Sequence, residues 1–168
     1  MTVSEIKRDR APQLVNERET LGGVLDFLRA TVVNKVAGLS EDQARSTPVP
    51  PSTMTPIGLV KHLAAVERWW FSIDFAVRPV TPPWPDGESF DGFELSDEDT
   101  LASVVEGYIA ECEASRDIVR VAELDDPARG EGMAFNLRYA LTHMIEETSR
   151  HCGHLDLMRE VLNGERGQ

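Results

Sequence analysis

The chain has 168 residues, 41% hydrophobic and 27% charged, with a net charge of -12, the make-up of a globular domain able to bury a core. So acidic a surface repels phosphate backbones and anionic lipid, which argues against nucleic acid and membranes as partners. No apolar run approaches the ~20 residues of a bilayer span. The opening MTVSEIKRDRAPQ lacks the apolar stretch of a secretory signal, so a cytoplasmic protein is expected.

In chain order, Leu21, Val24, Leu25, Leu28 and Val32 recur at helical spacing and predict a first helix from about Leu14 to Val36, weakened at Gly22-Gly23. A short turn capped by Ser40 follows. The stretch TPVPPSTMTP is too rich in proline for helix or strand. It ends in Thr55-Pro56, a cap followed by proline at the first helical position, which predicts a second helix from Pro56 to Ala76. The connection VRPVTPPWPDGESFDGFEL is long for a compact domain, and segments of this kind often wall a site. Ser96 and the acids after it open a third helix that runs to about Ala122. The fourth runs from about Phe135 to Leu162 and stops at Asn163-Gly164. No strand pattern appears. The expected fold is all-α, a four-helix bundle with one long crossover, forming a single domain over residues 1–168 with frayed tails at 1–10 and 164–168. Cys112 and Cys152 form no CxxC pair and read as small core residues.

Three of the four histidines fall in one stretch, HMIEETSRHCGH, at residues 143–154. On a helix this stretch turns Leu141, Met144, Thr148, Cys152, Leu155, Met158 and Leu162 to the core. Glu147 and His151, one turn apart, project from the edge of that face, and His143 and His154 lie further round toward solvent. The remaining histidine, His62, shares a stripe with Leu59, Val66, Trp69 and Ile73 on the second helix. A buried imidazole needs a hydrogen-bond partner or a metal, and bundles build metal sites from side chains on facing helices. Two imidazoles and a carboxylate leave a coordination position open, as catalytic zinc sites do. Spacing alone also allows a satisfied core histidine beside an ordinary Glu/His pair on one helix.

The stretches GLVKHLAAVERWWF and HMIEETSRHCGHLDLMRE resemble the DinB-like (YfiT-like) superfamily. They are closest to its mycothiol branch of S-transferases and the metal domain of mycothiol-dependent maleylpyruvate isomerase. The resemblance runs from the first helix through Glu160. It implies a divalent metal, zinc first and nickel next, on His62, Glu147 and His151. Where many relatives carry histidine, this chain resembles the isomerase branch in having glutamate, Glu147. His154, Trp69 and Arg150 are expected behind the ligands or around the pocket, and Trp84 over it, while no role carries over to His143.

The implied activity is a metal-dependent thiol S-transferase: a mycothiol-like thiol, activated by the metal, attacks a small electrophile. A hydrolase using metal-activated water, and a non-catalytic metal-binding or dimerising bundle, are the alternatives. A homodimer, the commonest soluble assembly, is a partner this reading allows, but the sequence does not fix the oligomeric state.

Overall fold

The computed structural model describes residues 2–84 and 93–167, and it is helical, with a single isolated β-bridge, Pro127 to Asn136, among the described residues. Helix α1 spans Glu17–Val36, the short α2 Glu41–Arg45, α3 Pro56–Glu67, α4 Leu101–Val121 and α5 Leu137–Asn163. Their ends follow side-chain chemistry. Asn16, Thr55, Thr100 and Asn136 each accept a backbone N–H of the following first turn, and Ser40 forms a reciprocal capping box with Gln43. Gly164 closes α5 in the left-handed conformation, φ 78°.

Three boundaries depart from the sequence pattern. Helix α1 begins at Glu17 rather than Leu14 because Asn16 caps it, which leaves Leu14 98% exposed. Helix α4 begins at Leu101 rather than Ser96. The Ser96 N–H is taken by the Asp99 carboxylate in a turn, and Thr100 with Ser103 forms the true capping box. The second long helix is not uniform: after Glu67 it continues as a π-helix over Arg68–Phe75. In a π-helix the bonds run i→i+5, which turns the buried face relative to an α-helix. Phe71, Ser72 and Phe75 are therefore buried, while Ile73, expected on the His62 stripe, is only half-buried.

Helix α1 packs along α5 and α3 along α4, with a lighter α3/α5 contact. The core falls into two clusters. One gathers Val32, Val36, Leu59, Leu63, Val105, Tyr108, Leu155 and Met158. The other gathers Leu25, Val66, Phe71, Ile118, Leu137, Leu141 and Met144. Between them in sequence on each helix lie polar side chains: Arg29 on α1, Ser115 on α4, and Thr148 and His151 on α5, with Glu67 ending α3. Arg29 and Glu67, 4% and 0% exposed, form a two-pronged ion pair, Nε to Oε1 and Nη2 to Oε2, both 2.7 Å. The guanidinium lies 5.9 Å over the Phe71 ring. Burial alone would lower the Arg29 pKa, but the Glu67 carboxylate overrides it and holds the pKa well above the usual value.

The segment ahead of α1 is tied to it. Ile6 exchanges two hydrogen bonds with the Asn34 side chain, and Gly38 N–H donates to the Val3 carbonyl. Pro12 lies so close to Gly23 that a Cβ there would sit 2.5 Å from the Pro12 Cδ, whereas one on Gly22 meets nothing within 4 Å. Gly22→Ala should therefore stabilise the protein by roughly 0.5–1 kcal/mol. Gly23→Ala should destabilise it or lift the leading segment. Thermal melts of the two variants will shift in opposite directions; equal shifts would contradict this packing.

Candidate metal centre

Helix α3 carries His62 and α5 carries Glu147 and His151, and the helix contact between them brings one ligand atom from each within 4.8 Å of the others. Glu147 Oε1 stands between the imidazoles, 3.2 Å from His62 Nε2 and 3.0 Å from His151 Nε2. Both histidines are 6% exposed. The hydrogen bonds from His151 and His62, in that order, hold the Glu147 carboxyl well below the usual carboxylate range, against the effect of its partial burial. A carboxylate that stays ionised between two Nε2 atoms is a cation-binding arrangement. Two imidazoles and one carboxylate match the donor set of catalytic zinc sites, in which a fourth position is left for water or substrate.

Each donor is held from behind. Glu147 Oε2 accepts from Arg150 at 3.0 Å, and the same guanidinium reaches Glu146 at 2.8 Å. The Arg150 guanidinium is thus engaged by two carboxylates of its own helix. His151 Nδ1 lies 3.2 Å from His154 Nδ1. Burial, then the neighbouring His151 and Arg150, lower the His154 pKa, which favours the neutral ring, whose Nδ1 can accept a hydrogen bond from His151 Nδ1–H. Such a partner fixes the tautomer and orientation of a ligating histidine. His62 is clamped by Phe93, whose ring stacks on it at 4.5 Å and 20°. Its buried Nδ1 has no hydrogen-bond partner among the described residues.

A cavity of about 190 Å³ opens beside the trio, lined by His62, Val66, Trp69, Trp70, Trp84, His143 and Glu147. Trp69, expected at the pocket, is there, and so is Trp84, 5.7 Å from Trp69 ring to ring. Of the long connection expected to wall a site, residues 85–92 lie outside the described residues, but Trp84 and Phe93 flank them at the site. His143, placed by sequence near solvent with no role, instead lies on the cavity wall, 4.3 Å from Trp70. The signal was available: His143 precedes Glu147 by the same four residues that set Glu147 below His151. Phe93 left no signal, since only the tertiary fold brings its loop over α3.

Cys112 and Cys152 are free and buried, as expected of core residues. Burial pushes the Cys152 thiol up to about 12. Burial and the Glu67 charge raise Cys112 well above the ordinary thiol range. Neither supplies a nucleophile at neutral pH, so any reacting sulfur comes from outside the chain.

No helix among the described residues is long and apolar enough to cross a membrane. No curated protein matches the sequence significantly. The family model described as mycothiol-S-transferase matches residues 20–164, which takes in α1 through α5 and all three converging side chains. The chain belongs to the mycothiol-S-transferase family.

Proposed function

We propose that this protein is a divalent-metal-dependent thiol S-transferase, with His62, Glu147 and His151 as the ligands and zinc, or else nickel, as the ion. The observation that carries this reading is the convergence of three ligand atoms within 4.8 Å at one end of a cavity. A cation held there lowers the proton affinity of a thiol that reaches it, and the thiolate is the nucleophilic form. The chain's own residues do the rest. Arg150 and His154 keep Glu147 and His151 aligned, Phe93 fixes the His62 ring, and the indole-lined cavity receives the electrophile and excludes water. The thiol is mycothiol-like, as the family's name suggests. A cytoplasmic setting suits both this reading and the two free cysteines.

The test sets purified, metal-restored protein against two assays. Consumption of mycothiol in the presence of an electrophile should be accelerated. Ester and amide substrates without thiol should not turn over. Thiol-independent hydrolysis would replace this reading with the hydrolase, and metal binding without either activity would leave a non-catalytic bundle.

A further inference from the structure

The thiol-transfer reading leaves the electrophile open, and the cavity narrows it. All three tryptophans of the chain line this one space. Its volume, about 190 Å³, is little larger than the roughly 150 Å³ of an apolar cavity that holds benzene. One flat ring with a short substituent fits; a nucleotide does not. Indole faces favour offset or edge-on contact with another π system.

One wall residue other than the three converging side chains and the indoles carries polar hydrogen. His143 is half-buried, stacks parallel to Tyr139 at 6.1 Å and 5°, and tilts against Trp70. Neither of its ring nitrogens is hydrogen-bonded to another described residue. Packing thus fixes the ring while an imidazole N–H remains unclaimed beside the cavity.

We propose that the electrophile is a single-ring α,β-unsaturated carbonyl compound held among the tryptophans, and that His143 is a catalytic residue donating a hydrogen bond to its carbonyl oxygen. This rests on the thiol-transfer reading for the sulfur only. The thiolate sulfur bonds to the β-carbon and the C=C electron pair moves toward the carbonyl. Negative charge grows on the oxygen that His143 faces, and the proton shed by the thiol is returned to the α-carbon. The reaction is an addition, with no leaving group and no redox partner.

Binding is tested apart from chemistry. Benzylacetone, the saturated ketone, cannot be attacked, and every tryptophan that could report it lines this cavity. Titration of the full chain should give saturable quenching of tryptophan fluorescence. Trp70→Leu should weaken binding roughly tenfold. No saturable quenching, or undiminished binding in Trp70→Leu, overturns the assignment whatever the turnover.

Chemistry is then read with benzylideneacetone and mycothiol. His143→Phe keeps the ring packing but loses the donor, and should lower kcat about tenfold or more with KM nearly unchanged. His143→Gln, which restores an N–H, should recover part of the loss. Full activity in His143→Phe overturns the role of His143. Ketone binding without turnover of any electrophile by the wild type would instead sink the thiol-transfer reading and His143's role, and leave the ring site standing.

Discussion

Glu67→Leu should cost about 3–5 kcal/mol of folding stability, the usual effect of stranding one member of a buried ion pair. Glu67 is fully buried and meets the Arg29 guanidinium at 2.7 Å through both oxygens. Without it, Arg29 keeps only one bond, to Asp26 at 3.0 Å, a carboxylate that also serves Arg116 at 2.9 Å. The guanidinium is 4% exposed, so water cannot take over the lost bonds. Arg29→Met combined with Glu67→Leu should recover most of the loss, because an apolar pair of similar volume carries no desolvation cost. Urea denaturation of the two singles and the double measures this directly. A Glu67→Leu variant as stable as the wild type would show that the pair contributes nothing.

His62→Ala and His151→Ala each delete one of three donors, and each should abolish stoichiometric metal binding. Loss of an orienting partner alone commonly costs ~10–100-fold in metal affinity, and loss of a ligand should exceed that. Elemental analysis of protein purified without added metal, followed by competition with a chelator, gives the ratio. His154→Ala should retain the metal with affinity lowered within the ~10–100-fold range. Metal content unchanged in both His62→Ala and His151→Ala would remove the basis for the proposed activity. Because imidazole binds metal only when neutral, acid should release the ion in every variant that holds it.

Much of the architecture is legible because helix ends are chemical. Thr55-Pro56 and Asn163-Gly164 announce a start and a stop, and the apolar face of α5 is buried as the 100° rotation requires, from Leu141 through Met158. The meeting of His62 with Glu147 and His151 follows from the same geometry plus resemblance. What failed was set by competition or by distant chain. Ser96 and Thr100 both carry capping hydroxyls, and only the bond from Ser96 N–H to Asp99 decides between them. Arg29 sits within an apolar stripe, where its buried partner on another helix leaves no local mark.

The π-helix is the clearest case. Arg68–Phe75 contains no proline or glycine to warn of it. Its last turn is secured from elsewhere in the chain: Gly130 and Arg129 donate their N–H groups to the Asp74 and Phe75 carbonyls, at 2.8 and 3.1 Å. Tertiary bonding of this kind satisfies backbone groups that a regular helix would pair internally.

That wider coil gives the protein a separable dial. His62 lies upstream of Arg68 and is indexed by the regular part of its helix, whereas Trp69 and Trp70 are indexed by the expanded part. Removing one residue from Trp69–Asp74 would rewind the stretch toward α geometry and re-aim the side chains within it, leaving the imidazole where it was. The cavity wall is thus open to change through this stretch without rebuilding the end of the helix that carries His62.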